Sequence, residues 1–484
     1  MLADSDTRWK WGALTARRLA PEARIDGLLL RGRATPTPRQ LAEVGVTVDT
    51  LREVSGVGFV REAAHRDAYD MVVLACVGGA VQAMLHGLAR ASVSGTHGAG
   101  PSGDDAGPGT GTGTDADADS VDVTVADPAD PAAPVRRPVY VTGYVGVVYE
   151  KLADGLLLRH GADVVLANSR YDAERFRAVY AGVGADDSAV TECALPFLGG
   201  AAYAGPTADR PFTVTFAAQP SVPASRGDRT YLLRRAAEHA RRHPDREVLI
   251  KLRSRPGEHT THIEEQPYQK LSGRVPGGLP ANCRLVYGNM GEVLDRTDLL
   301  VTVSSTAALE SLHRSVPTAI LTDLGVREAL GNHHFLGSGC LASWDELDAG
   351  HLPEADPVWT ARQGVCAAGK GGADGGTDST GGDSYAHAFD AARDRVTELA
   401  SRAGLPPVAP YYTPRTAPGY LPGVLARYGF DPHGTPLPGA ATTAAAEPSG
   451  LRGAVRGAVR DAARGAYRHG VQRVAPVIRR MGEL

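Results

Sequence analysis

The sequence predicts an α/β protein of two Rossmann-like halves facing one cleft, and three observations carry that expectation. Short apolar runs lead through small-residue turns into helical patterns, which is the repeating unit of a parallel α/β sheet. The pattern fills residues 1–198 and starts again at 211. The stretch between, 199–210, is rich in Gly, Ala and Pro, as a linker would be. At 484 residues, 43% hydrophobic and 22% charged, the chain has material for two cores.

In the first half, Ile25–Leu30 and Tyr69–Cys76 read as strands. The second runs through Val77-Gly78-Gly79 into a helix carrying Val81, Met84, Leu85 and Leu88. Residues 92–135 lose all periodicity; from 101 to 135 they hold eight aspartates and no Lys or Arg, which predicts a disordered acidic insert. Order resumes with the strand Pro138–Gly143, a helix over Glu150–Arg159, the strand Asp163–Asn168, and a helix over Tyr171–Tyr180 capped by Ser169. Ahead of Asp4-Ser5-Asp6 only Met1-Leu2-Ala3 remains for a first strand, so that strand is very short or the chain begins upstream.

The second half, 211–404, repeats the pattern. Phe212–Ala217, Glu247–Leu252, Arg284–Tyr287, Leu299–Val303 and Pro317–Leu321 read as strands, with helices at Tyr231–Arg242 and Ala307–His313. A glycine-rich insert follows at 363–384, then a helix over Tyr385–Ala403. Residues 405–448 are rich in Pro and Gly, with a helical piece near Leu421–Tyr428. The last segment, 449–484, carries eight arginines, five of them (452, 456, 460, 464, 468) spaced four apart. It reads as a basic amphipathic helix, either solvated or resting on an anionic membrane surface.

A net charge of −4 gives no argument for nucleic-acid binding. The five cysteines (76, 193, 283, 340 and 366) are far apart and suggest buried thiols in a reducing compartment. No run reaches the roughly 20 apolar residues of a membrane span, and Met1–Trp11 has no signal-peptide core, so the expected location is cytoplasmic. His259, His262, His333 and His334 lack carboxylate or thiol ligands at matching spacing, and no metal is expected.

The sharpest motif is Val301-Thr302-Val303-Ser304-Ser305-Thr306, leading into a helix with Glu310 and then Val316-Pro317. A buried strand that ends in hydroxyls at a helix start can cradle a nucleotide phosphate, because the first helical amides lack internal partners. Glu310, one turn on, would accept ribose hydroxyls; plain Ser/Thr capping is the alternative. Lys251 and Arg253 end a strand and could neutralise a diphosphate; the alternative pairs them with Glu258, Glu264 or Glu265. Gly143, Tyr144 and Gly146 form a GxxG turn that allows close backbone approach to a ligand or simply a tight bend.

The strand, Ser-Ser-Thr, Glu and Pro-led strand segment is similar to the donor site of GT-B glycosyltransferases and their relatives, among them sialyltransferases, polymer glycerophosphotransferases and nucleotide-sugar 2-epimerases. Residues 1 to about 430, without the inserts, resemble an actinobacterial family of glycosyltransferase-like proteins. The residues carrying this are Asp4-Ser5-Asp6 with Lys10-Trp11, Val141–Gly146, Arg159–Asp163 and Lys251–Ser254.

The resemblance implies a nucleotide-sugar donor bound by the C-terminal half through Gln219, Ser221, Lys251, Arg253, Ser304, Ser305, Thr306 and Glu310. The N-terminal half would hold a glycan, lipid or small-molecule acceptor of the cell envelope or of secondary metabolism. It would also supply a base to deprotonate the acceptor. Asp6 is the first candidate and His160 the second, with Glu150 and Asp4 behind them. Neither a metal nor a cofactor beyond the co-substrate is expected. The alternatives are an epimerase-like isomerase on the same scaffold, or a non-catalytic protein that binds a nucleotide or glycan.

Overall fold

The computed structural model describes residues 1–65, 68–95, 134–147, 152–255, 258, 264–365, 385 and 387–440. Seven strands form the first sheet: β1 (Leu2–Ala3), β2 (Asp26–Leu30), β3 (Thr50–Val54), β4 (Met71–Ala75), β5 (Val139–Gly143), β6 (Val164–Ala167) and β7 (Val190–Glu192). Their order is β3-β2-β1-β4-β5-β6-β7, with every neighbouring pair parallel. Six more form the second: β8 (Phe212–Ala217), β9 (Arg246–Lys251), β10 (Cys283–Val286), β11 (Leu299–Thr302), β12 (Thr318–Leu321) and β13 (Leu341–Ala342). Their order is β10-β9-β8-β11-β12-β13, again all parallel.

Both sheets are wound the same way. The chain runs outward over three strands, then returns to the far side of its first strand and runs outward again. The direction reverses between β1 and β4 in one sheet and between β8 and β11 in the other. At such a reversal the loops leaving the two strands diverge, and the crevice beyond their carboxyl ends is where ligands bind in this topology. The expected α/β architecture of two Rossmann-like sheets is therefore present.

The inner strands are the ones whose sequence is continuously apolar, because helices cover both faces of a parallel sheet. Val72–Ala75, Val164–Ala167 and Leu299–Thr302 are buried along their whole length. β1 is only two residues long yet lies at the centre of its sheet, with Leu2 opposite Leu28 on one side and Leu74 on the other. The Asp6–Leu19 helix follows β1 and buries Trp9 and Trp11 against the sheet. Ser169 caps the Arg170–Gly182 helix by accepting from the Asp172 amide at 3.0 Å, as expected.

Other boundaries differ from expectation. Ser225 accepts from the Asp228 amide at 3.0 Å and starts its helix at Arg226, five residues before Tyr231. Thr37 and Gln40 form a capping box that opens the Pro38–Val44 helix. The Asp390–Ser401 helix, reached after the second sheet, packs instead against β5, β6, β7 and the first helix. Its Ala392, Val396 and Leu399, with Phe389, join the core that holds Val141 and Leu166. The Leu421–Ala426 helix packs on the Gly78–Gly95 helix.

The chain divides into two units, Met1–Leu437 and Pro438–Leu484; both sheets belong to the first, and only Pro438–Ala440 of the second are described. The expected acidic insert lies outside the described residues over 96–133, the glycine-rich insert over 366–384, and the whole basic segment 449–484 with them. Cys76, Cys193, Cys283 and Cys340 are buried free thiols, and Cys366 is outside the described residues.

Candidate active site

The loops at the two reversal points open onto one cleft of about 1310 Å³, lined by residues from both sheets. From the second sheet come Gln219 and Ser221 after β8, Lys251 and Arg253 at the end of β9, and Ser304, Ser305, Thr306 and Glu310 after β11. From the first come Asp6, Arg8 and Lys10 after β1, Val77–Gly79 after β4, and Tyr144–Val147 after β5. A volume of this order exceeds what a single small ligand fills and suits two substrates side by side.

The Ser-Ser-Thr turn sits at the rim, but its three hydroxyls differ. Ser304 is only 2% exposed. Its hydroxyl donates to the Leu330 carbonyl at 2.6 Å, and its amide donates to Gln219 Oε1 at 3.0 Å. Gln219 Nε2 reaches back to Ser304 Oγ at 3.2 Å. These two residues tie the β8 and β11 loops together, so Ser304 and Gln219 brace the site where phosphate ligands were expected.

Ser305 and Thr306 face the cleft. Ser305 Oγ accepts from the Ala307 amide at 3.2 Å, and Thr306 Oγ1 accepts from the Val147 amide at 3.4 Å. Each hydroxyl keeps its own proton for a ligand. The expected cradle of bare amides is smaller than its sequence implies, because the turn fills most of it. The Ala308 and Leu309 amides donate to Ser305 O at 3.0 Å and Thr306 O at 2.9 Å. Gly146 approaches Thr306 so closely that a Cβ there would lie 2.4 Å from Thr306 Oγ1.

Lys251 lies beside this turn. Its ammonium donates to the Leu252 carbonyl at 2.7 Å, and burial pushes its pKa down to about 8. No carboxylate among the described residues lies within ion-pair distance of it. Neither it nor Arg253 pairs with Glu258 or Glu264: Arg39 takes Glu258 and Arg229 takes Glu264. Arg229 also donates to the carbonyls of Gln219 (2.9 Å), Pro220 (3.1 Å) and Pro223 (3.3 Å), which fixes the loop that presents Ser221.

Arg253 reaches across the cleft. Its guanidinium forms a two-pronged ion pair with Asp6, the first residue of the Asp6–Leu19 helix. Burial would raise the Asp6 carboxyl; the charge and hydrogen bonds of Arg253 outweigh burial and hold it below the usual carboxylate range. Glu310 is likewise taken: it accepts from Lys10 Nζ at 3.2 Å, with Lys10 4.6 Å over the Phe197 ring. The expected ribose acceptor is thus an ion-paired carboxylate. Asn289 adds a further tie between the sheets, donating to the carbonyls of Glu43 (3.3 Å) and Val44 (3.2 Å).

His160 does not line the cleft. Its ring packs against Tyr180 at 5.4 Å and Tyr411 at 6.0 Å, and burial lowers its pKa. A role as base is therefore withdrawn for it. Its neighbour Arg159 lines the cleft instead, donating to the carbonyls of Gly143 (3.0 Å), Gly155 (2.8 Å) and Cys76 (3.3 Å) and stacking 4.2 Å over Tyr144. The Tyr144 phenol donates to Leu152 O at 3.3 Å, and Gly143 ends β5 in the core. Asp4 accepts from the Val77 amide at 2.9 Å and from Arg8 at 3.0 Å, which joins the two sides of the first reversal point. Glu150 lies outside the described residues.

Lys10, Arg159 and the wall made by Tyr420, Val424, Arg427 and Tyr428 were missed as site elements. So was a group with metal-ligand spacing, His239, His243 and Asp348, on and beside the Arg226–Arg242 helix. Asp348 there bonds His239 Nδ1 at 2.6 Å and also accepts from Arg235 and Arg242, so nearby guanidinium charge opposes a cation. Among the described residues no helix is long and apolar enough to cross a membrane.

Among solved structures the chain is similar to S. aureus MnaA in complex with UDP, at 10% identity, covering 76% of this chain and 90% of that one, with a TM-score of 0.43. It is similar also to the glycotransferase of kitacinnamycin, at 13% identity, 82% and 94% coverage and a TM-score of 0.39. Anabaena HepE with UDP-glucose gives 11% identity, 83% and 98% coverage and a TM-score of 0.42. No curated protein matches the sequence significantly. The family model described as "Putative glycosyltransferase (DUF6716)" matches residues 1–105 and 116–374, most of the chain, and the protein belongs to that family.

Proposed function

We propose that the protein is a GT-B type glycosyltransferase that moves a sugar from a nucleotide-activated donor to an acceptor hydroxyl. The observation that carries this is the meeting of two reversal points on one cleft. An ammonium with no carboxylate in contact among the described residues and two hydroxyl protons stand on the second-sheet side, and a buried carboxylate stands on the first. Family membership supports the same reading.

In this reading the nucleotide lies over Ser305, Thr306 and Ser221, and its phosphates lie against Lys251 and Arg253. Both cations would take up charge on the leaving phosphate as the bond to the sugar breaks, in a site from which most water is excluded. That chemistry asks for no metal, and we propose none. The acceptor enters on the side of Tyr144, Gly146 and Arg159, and Asp6 takes its proton. Glu310 reaches the ribose once Lys10 lets it go. The proposed setting is the cytoplasm, with an envelope or metabolite acceptor and the basic 449–484 segment as a contact to the inner membrane face.

A thermal-shift panel of nucleoside mono- and diphosphates and nucleotide sugars tests the proposal. A ligand that binds only the native state raises its melting temperature by mass action. One base should stand out, its diphosphate and sugar diphosphate giving the largest shift, and Ser305→Ala should reduce that shift. A flat response across the panel would refute a nucleotide donor.

A further inference from the structure

The pairing of Asp6 with Arg253 puts the proposed base and one of the proposed donor cations in each other's grip, so neither is ready while the pair holds. We infer that Arg253 is an exchangeable partner: it holds Asp6 while the cleft is empty and passes to the donor's diphosphate on binding, and this exchange frees Asp6 to take the acceptor's proton. The inference rests on the donor-site reading above and adds the order in which the two groups become available.

The geometry favours the exchange. Asp6 sits at the start of a helix whose Trp9 and Trp11 are locked in the core, so the carboxylate cannot follow the arginine. Arg253, by contrast, lies two residues beyond the end of β9, and its side chain is partly exposed. It can turn toward Lys251 while its backbone stays in place. A diphosphate offers more negative charge than one carboxylate, and Lys251 brings a second cation to the same place. Once the guanidinium leaves, burial is the main influence on Asp6, and burial raises a carboxyl's affinity for a proton.

The chemical step then balances. The bond between the sugar's anomeric carbon and the phosphate oxygen breaks, with its electron pair going to the phosphate. The acceptor oxygen bonds to that carbon, and its proton goes to the Asp6 carboxylate.

The exchange predicts an effect opposite in sign to that of a structural ion pair. Asp6→Asn removes the carboxylate that competes with phosphate, so inorganic pyrophosphate should bind the full-length variant several-fold tighter than the wild type. Hydrolysis of the nucleotide sugar that best stabilises the wild type should meanwhile fall roughly 100-fold or more. Arg253→Ala should weaken pyrophosphate at least about tenfold, and adding Asp6→Asn to it should give no further tightening. Equal or weaker pyrophosphate binding by Asp6→Asn overturns the exchange. If that variant fails to fold, unchanged affinity in Arg253→Ala overturns it on its own. A wild type that binds neither pyrophosphate nor any nucleoside diphosphate refutes the donor site itself, which is a separate outcome.

Discussion

Replacing Lys251 by alanine should weaken nucleoside diphosphate binding about 10- to 150-fold, the range for losing a charge-assisted hydrogen bond worth roughly 1.5–3 kcal/mol. Its ammonium is held in the cleft by the Leu252 carbonyl, with no carboxylate at ion-pair distance among the described residues, so a bound phosphate would bring a full negative charge to contact distance. The same residue sets a pH dependence. Its pKa is lowered to about 8 because burial penalises the charged form, and an anion beside it restores that form. Below pH 8 the ammonium is already charged and binding takes up little proton. Above pH 8 binding must recharge it, so proton uptake appears and affinity falls as pH rises. Calorimetry in buffers of different ionisation enthalpy should show this uptake at pH 8.5–9 in the wild type and lose it in Lys251→Ala. Equal affinity in the two proteins would remove Lys251 from the site.

Replacing Trp11 by alanine should cost about 3–5 kcal/mol of stability, as loss of a large buried aromatic does. The ring is fully buried, its Nε1 donates to Asn168 Oδ1 at 3.4 Å, and it packs so tightly on β5 that a Cβ on Gly143 would lie 2.8 Å from it. Lys10, one position earlier, points the other way, into the cleft. Lys10→Ala should cost less, about 1–3 kcal/mol, since it removes the partner of the mostly buried Glu310 carboxylate and the contact over the Phe197 ring but no core packing. Urea unfolding of both variants checks the contrast. A loss below about 1 kcal/mol for Trp11→Ala would mean that the first helix is not anchored as described.

The inner strands and their turns were legible because each is a continuous apolar run followed by small or hydroxyl residues. β3 was not, because its Leu51, Arg52 and Glu53 are exposed on an edge and leave no apolar pattern. β7 and β13 are too short to show one. At the site, sequence placed the right segments on the rim but could not say which atoms remain free. Ser304 is used up by Gln219, 85 positions away, and by Leu330, 26 away. Asp6 is neutralised by Arg253 at a separation of 247, and Glu310 by Lys10 at 300. Such pairings depend on how the two sheets meet, which no local pattern encodes. His160 has the residue type of a base, yet the neighbouring Arg159 is the one that reaches the cleft.

The most direct measurement is a crystal structure of the full-length protein with the nucleoside diphosphate that stabilises it best. The diphosphate should lie about 3 Å from Lys251 Nζ and from the Ser305 or Thr306 hydroxyl, with Arg253 turned away from Asp6 and onto a phosphate oxygen. A nucleotide seated instead against Val77–Gly79 and Arg159, with the pair between Asp6 and Arg253 intact, would contradict the assignment of the second sheet's reversal point as the donor site.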